Sequence, residues 1–160
     1  MAYSHAYTEN TTSLGNRNLI LTRQNTTKKL FADRLVAHRG LQVPYPENTV
    51  LSVQKAIEAG ALFVEIDLQL SLDKQPMVYH DINLKRVSGQ DCLISSLNSS
   101  ELMRLPAYEP ERLGEQFISE TISSLANVVE LINSHPQVTL FVELKEESIA
   151  EFGAETMLKN

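Results

Sequence analysis

A single cysteine, Cys92, is present in the whole chain, so no internal disulfide can form and a reducing compartment is the simplest expectation. A catalytic thiol is not expected there, because Cys92 lies in a loop-like Gly89-Gln90-Asp91-Cys92-Leu93 run. No apolar run approaches the roughly 18–20 residues that span a bilayer. The first residues also do not follow the basic-then-apolar plan of a secretory leader. These absences together lead to the expectation of a cytoplasmic protein. Positive charge is scarce as well. Fourteen Lys and Arg stand against twenty Asp and Glu, and a net charge of −6 argues against a nucleic-acid binder that relies on phosphate attraction. No internal repeat of short period occurs.

What is present suits one domain. The chain has 160 residues, 42% hydrophobic and 21% charged, which is ordinary for a globular protein able to bury a core. The charge is uneven. Residues 1–37 carry Arg17, Arg23, Lys28, Lys29 and Arg34 against Glu9 and Asp33, a surplus of +3 that leaves −9 for the remainder. Residues 1–32 are rich in Thr, Asn, Ser and Tyr and read as a polar arm, in which Leu19-Ile20-Leu21 could form a short strand. Residues 33–160 read as the folded domain.

Within that domain the stretch Leu62–Leu70 alternates strictly. Leu62, Val64, Ile66, Leu68 and Leu70 share one face, and Phe63, Glu65, Asp67 and Gln69 share the other. Two carboxylates at i and i+2 on a buried-looking strand repel each other and are expensive to desolvate, and a divalent cation would remove both problems. The plain alternative is a half-exposed antiparallel strand with a wetted polar face. Other strands are expected at 34–38, 76–80 and 138–145. Helices are expected after Asn48 or Thr49 up to Gly60, after Ser123 or Ser124 up to His135, and over about 148–158. Residues 81–119 give only a weak pattern, with a short helix at 99–103. The order β-α-β-β-excursion-α-β-α implies an α/β fold with a mainly parallel sheet, which disfavours the half-exposed alternative.

In parallel α/β folds the functional side chains gather at the C-terminal ends of strands. His38 ends the first strand, Glu65 and Asp67 lie late in the second, His80 ends the third, and Glu143 and Lys145 end the fourth. Phe63 and Phe141 each precede a Glu by two positions and would form an apolar layer beneath the carboxylates. Glu65, Asp67 and Glu143 make an all-oxygen set that suits Mg²⁺ or Ca²⁺. His38 and His80 suit general acid and base work, and Arg39 and Lys145 suit an anionic substrate, with phosphate the best fit. These are the parts for cleaving a phosphodiester. Taken singly each has a plainer explanation: a histidine satisfied at a strand end, or Glu143 and Lys145 as an edge-strand ion pair.

The motifs His38-Arg39-Gly40, Pro46-Glu47-Asn48-Thr49, Glu65-x-Asp67, His80-Asp81 followed by Leu84 and Arg86, and Glu143-x-Lys145 resemble those of the glycerophosphodiester phosphodiesterases in order and spacing. The resemblance covers about residues 34–147. It implies the (β/α)8 TIM-type barrel of the phospholipase-C-like phosphodiesterases, with a small insertion after the third strand that the 81–119 stretch would match. It also implies one divalent cation on Glu65, Asp67 and Glu143, acid–base roles for His38 and His80, and substrate contacts by Arg39 and Lys145. Glu47 is placed with the substrate-binding group, where it would buttress His38 or Arg39. The implied activity, in lipid and glycerol metabolism, is hydrolysis of a glycerophosphodiester such as glycerophosphocholine to glycerol 3-phosphate and an alcohol.

Length sets the chain apart from that family. An eight-stranded barrel takes about 250 residues, and four strands are legible here. The expectation is therefore the N-terminal half of the barrel, truncated at its C-terminus. Such a half-barrel would be completed by self-association or by a missing second half, or would persist as an inactive interaction module. A sphingolipid or lysophospholipid head group is a further, weaker substrate reading.

Overall fold

In the computed structural model, residues 34–159 are described. The polar arm and its Leu19-Ile20-Leu21 segment lie outside them. Five strands and the helices between them build the domain. They run β1 (Val36–His38), α1 (Val50–Glu58), β2 (Phe63–Leu70), β3 (Pro76–Val78), α2 (Lys85–Ser88), a 3₁₀ turn at Ile94–Ser96, α3 (Ser99–Leu102), α4 (Pro110–Leu113), β4 (Ser123–Ser124), α5 (Leu125–Asn133), β5 (Thr139–Leu144), α6 (Glu146–Phe152) and α7 (Ala154–Lys159).

β2 is the hub. β1 pairs parallel with its first half, His38 level with Glu65, and β5 pairs parallel along most of it, Asp67 level with Glu143. The β1-α1-β2 and β2-to-β5 connections each carry a helix that covers the sheet, as parallel pairing requires. Thr49 caps α1 through a reciprocal box with Ser52, and Ser124 caps α5 through one with Asn127. From α1 Val53 and Ala56, from α5 Val128, and from β2 Val64, Ile66 and Leu68 form one buried cluster. This is the aliphatic face that the alternation in 62–70 predicts.

The third strand departs from expectation. β3 is antiparallel to β2, Leu68 opposite Val78 and Leu70 opposite Pro76. Only residues 71–75 separate the two, and a parallel return needs a crossover of about a dozen residues or more. The turn closes by Ser71 N–H to Gln75 O and Lys74 N–H to Ser71 O, with Lys74 left-handed at φ 60°. The parallel set is therefore β1, β2 and β5, not four strands. β3 continues antiparallel into β4, and β3 and β1 share one edge of β2 while β5 takes the other.

Along β3 the alternation splits two cores. Val78 joins the main cluster, whereas Met77 and Tyr79 face a second cluster with Leu84, Val87, Ile94, Leu102, Ala107 and Ile122. The 81–119 excursion is thus a small folded annex with its own core, built on the back of β3. The last expected helix is two helices, broken at Gly153, which sits at φ 84°.

The turn after β1 is tightly specified. Gly40 has φ 79°, and a β-carbon there would meet Ser52 at 2.5 Å from Oγ and 2.6 Å from the backbone carbonyl carbon. Arg39 O accepts from Ser52 Oγ, and Leu41 N–H donates to Ser52 O, so strand and helix touch backbone to backbone. Gly40→Ala combines overpacking with a disfavoured φ and is expected to destabilise the fold by about 2–4 kcal/mol, read as a lower urea midpoint at unchanged slope.

Candidate active site

The rim at the C-terminal ends of β1, β2 and β5 gathers the charged residues. On β2 the odd face carries Phe63, Glu65, Asp67 and Gln69 in succession. Phe63 touches Phe141 of β5 with ring centroids 6.2 Å apart. The register sets Phe141 level with Glu65 and half exposed, so the rings meet diagonally rather than as one layer beneath the carboxylates. Asp67 is fully buried, Glu65 half-buried and Glu143 exposed. Each of the three offers a carboxylate oxygen within 4.8 Å of the others.

Asp67 is held from several sides. Asn48 donates its side-chain N–H to Asp67 Oδ2 at 2.8 Å and accepts the Asp67 backbone N–H at 3.1 Å. This two-way clip explains the left-handed φ of Asn48, 55°, which Asn tolerates better than most residues. Arg39 Nε lies 3.0 Å from Asp67 Oδ2 as an ion pair without hydrogen-bond alignment, and Lys145 Nζ lies 3.5 Å from Oδ1. Lys145 also donates to Glu143 at 2.8 Å. The edge-strand ion pair is therefore present, but its lysine faces Asp67 as well.

Two buried carboxylate oxygens, Glu65 Oε1 and Asp67 Oδ1, have no hydrogen-bond partner. Burial raises the Glu65 carboxyl above its ordinary value. The Arg39 amide, which donates to Oε2 at 3.1 Å, opposes the rise, while the Asp67 and Glu143 charges add to it. At Glu143 the lysine hydrogen bond holds the carboxyl below its usual range.

The two histidines differ in their partners. His38 is largely exposed, with Nε2 3.8 Å from Glu65 Oε2 and Nδ1 3.0 Å from the Gln42 amide nitrogen. His80 places Nδ1 2.7 Å from Asp81 Oδ1, and its backbone carbonyl accepts from Gln69 Nε2 on β2. β3 ends at Val78, so His80 stands just past an antiparallel strand rather than at the end of a parallel one. Tyr79 N–H bonds to Asp67 O, which still brings the chain back beside the β2 carboxylates.

Glu47 contacts Arg39 and not His38. Its Oε1 accepts from Arg39 Nη1 at 3.1 Å, and both of its oxygens accept from Arg86. Beyond it lies a second tier that the sequence reading did not assign. Arg86 also binds Asp81. Glu109 accepts the Glu47 backbone N–H at 2.8 Å, and Arg112 joins Glu109 to the Val43 and Tyr45 carbonyls. Asn48 stood in the Pro-Glu-Asn-Thr motif and was read only as a cap candidate. Asp81 and Arg86 stood in the His-Asp motif without a role. Glu109 and Arg112 fall in the weakly patterned stretch, where nothing pointed to them. Counting both tiers, six carboxylates (Glu47, Glu65, Asp67, Asp81, Glu109, Glu143) meet four permanent cations (Arg39, Arg86, Arg112, Lys145).

Comparison with known proteins identifies the family and the fold. Residues 38–156 match the glycerophosphoryl diester phosphodiesterase family. A glycerophosphodiester phosphodiesterase of Bacillus altitudinis is 32% identical over 126 residues, covering 79% of this chain and 51% of that protein. A solved Oleispira antarctica phosphodiesterase, in complex with sn-glycerol-3-phosphate, is 34% identical with a TM-score of 0.67, over 83% of this chain and 54% of the other. The glycerophosphodiester phosphodiesterase of Thermotoga maritima is 34% identical with a TM-score of 0.58, over 78% and 47%. The chain spans about half the length of the curated relatives it matches, and its fold is the N-terminal half of their barrel. On its motifs, its site and its match over residues 38–156, this chain belongs to the glycerophosphoryl diester phosphodiesterase family.

Proposed function

We propose that this domain carries the catalytic apparatus of a divalent-cation-dependent glycerophosphodiester hydrolase, which releases glycerol 3-phosphate and an alcohol from substrates such as glycerophosphocholine. The observation that carries the reading is the convergence of three carboxylates, Glu65, Asp67 and Glu143, each with an oxygen within 4.8 Å of the others. Among the described residues Glu65 Oε1 and Asp67 Oδ1 are buried and without hydrogen bonds, and only Lys145, 3.5 Å from Oδ1, stands there as a cation. Three clustered carboxylates, two of them with buried oxygens that make no hydrogen bond, repel one another, and a divalent cation among them removes that cost. An all-oxygen donor set fits Mg²⁺ or Ca²⁺. Glu65, Asp67 and Glu143 would hold the ion, and it would supply Lewis-acid polarisation of a phosphoryl oxygen. The glycerol 3-phosphate in the Oleispira protein supports the same substrate class here.

The remaining groups have complementary tasks. Arg39 and Lys145 flank the carboxylates and offset phosphate charge. The two histidines divide the acid–base work. Nε2 of His38 lies 3.8 Å from Glu65 Oε2, and the ring in its imidazolium form would give that Nε2 proton to the leaving alkoxide and return to neutral imidazole. A carboxylate faces Nδ1 of His80, so that nitrogen carries the proton and Nε2 is free to take one from water or from the adjacent glycerol hydroxyl. With water as nucleophile, the phosphorus–oxygen bond to the alcohol breaks as the new one forms, and the proton taken at His80 is balanced by that given at His38. With the glycerol hydroxyl, the same step gives a cyclic phosphate that water opens to glycerol 3-phosphate as the two histidines exchange roles.

A non-catalytic reading, an interaction module, rests on a different observation. Among the described residues the outer edges of β1 and β5 have no partner strand, and Val36, Phe141 and Val142 beside them are about half exposed. The assay separates the two. With Mg²⁺ or Ca²⁺ and glycerophosphocholine, glycerol 3-phosphate release is expected, to be stopped by chelator and lowered about 10²–10⁴-fold by His80→Ala. Full activity without either histidine would sink the role assignment, and no turnover with no cation binding would favour the module.

Stability gives a second test that needs no substrate. A carboxyl raised on folding disfavours its charged form, so Glu65 costs stability as pH rises through its folded value. Without a cation, Glu65→Gln is expected to raise the melting midpoint near pH 7, and the gain should vanish below about pH 4, where the wild-type group is protonated in both states. Added Mg²⁺ or Ca²⁺ should stabilise the wild type and leave the variant unmoved. A variant less stable than the wild type at neutral pH would contradict the electrostatics.

A further inference from the structure

We propose that Arg86 is a positioning residue for both halves of this chemistry, its one guanidinium fixing the acid–base His80 through Asp81 and the phosphate-facing Arg39 through Glu47. The inference rests on the reading of the site given above. Arg86 Nε and Nη2 donate to the two oxygens of Asp81 at 2.6 and 3.0 Å, and Nη2 and Nη1 donate to the two oxygens of Glu47 at 2.7 and 3.0 Å. Both carboxylates are thereby gripped in two-point geometry, which fixes rotation as well as position. Asp81 Oδ1 then faces His80 Nδ1, and Glu47 Oε1 faces Arg39 Nη1.

The platform under Arg86 is rigid. It projects from α2 in the annex, where its neighbour Val87 is buried and the Val87 carbonyl accepts from both Tyr108 and Glu109 N–H. Ordinary structural reasons for such an arginine are weak here. Its own side chain is 42% exposed and fills no core space, whereas Glu47 is 6% exposed. Burial of Glu47 already has one cation in Arg39 and a backbone tie through Glu109. What only Arg86 supplies is the link between the two carboxylates, one behind the base and one behind the phosphate-facing arginine. The annex thus reaches the Glu47 backbone through Glu109, and both carboxylates through Arg86. A lysine cannot replace it, because one ammonium cannot span two carboxylates with paired bonds.

The test is imidazole ¹⁵N spectroscopy of the full chain, with the His80 signals assigned by a His80→Gln variant. The wild type is expected to show neutral His80 as the Nδ1–H form. In Arg86→Met and Arg86→Lys, Asp81 is released to rotate, and the signals should move towards a mixture of tautomers while His135 stays unchanged. Arg86→Lys, which keeps the charge but not the paired bonds to both carboxylates, carries the test should Arg86→Met fail to fold. Kinetics on glycerophosphocholine supply the second readout. Arg86→Met should lower kcat about 10–100-fold, as loss of an orienting partner does, and raise KM as Arg39 loosens. A folded Arg86→Met with the wild-type His80 spectrum, or with only a lower melting midpoint, overturns the proposal. The spectrum needs no turnover, so a wild type that releases no glycerol 3-phosphate counts against the hydrolase reading, and an unmoved spectrum counts against Arg86.

Discussion

Asp67 is a carboxylate with no exposure to solvent, set on the middle strand of the sheet, and the rest of the site follows from holding it there. Burying an unpaired charge costs several kcal/mol. Asn48, Arg39 and Lys145 answer for it from three directions. Each answer constrains the backbone that delivers it. Arg39 and Asn48 both sit in the left-handed region, at φ 56° and 55°, and Gly40 leaves no room for a β-carbon against α1. Strain of this kind persists only where surroundings over-determine it. Here the surroundings are the helix cap at Thr49 and the Arg39 contacts to Glu47, Glu65 and Asp67.

A second tier stabilises the first. Arg39 leans on Glu47, and Glu47 is gripped in turn from the annex by Arg86 and, through its backbone, by Glu109. The annex therefore has a place in the site without supplying any of the rim residues. Its own core, around Tyr79 and Leu84, is separate from the main one, and Met77 and Tyr79 on one side of β3 with Val78 on the other divide the two. A two-residue period on a three-residue strand is enough to join a rigid platform to the sheet that holds the carboxylates.

Much of this was legible in the sequence because it follows from local period and spacing. The faces of 62–70 come from strict alternation, and the nearness of Phe63 and Phe141 from a Phe two residues before a Glu on each strand. The helix starts come from Asn48 or Thr49 and Ser123 or Ser124, of which Thr49 and Ser124 are the caps. The direction of β3 was legible too, since residues 71–75 are too few for a crossover, but pattern counting alone assigned it to the parallel set. The second tier was not legible. Arg86 meets Glu47 across 39 positions and Glu109 meets it across 62, and no local rule joins residues so far apart. Asn48 misled for another reason. Asn is a good helix cap, and its clip to Asp67 becomes visible only once β2 lies beside the start of α1.

Exposure divides the site into a finished side and an open one. Asp67 and Glu47 have side chains 1% and 6% exposed, whereas His38 and Glu143 are 54% and 55% exposed. The open side is the β5 edge and the tip of β1, where Phe141 and Val36 are also uncovered. Electrostatic interactions weaken towards water, so the same charges act more weakly on the open side. The residues proposed for the chemistry lie between His38 and Lys145. A surface covering the open side would lower the local dielectric and strengthen the Lys145–Glu143 and His38–Glu65 contacts. The strength of these open-side contacts should therefore depend most on whatever covers β5. The order of residues within the site depends least on it, because that order is already fixed from behind by Asn48, Glu47 and the annex.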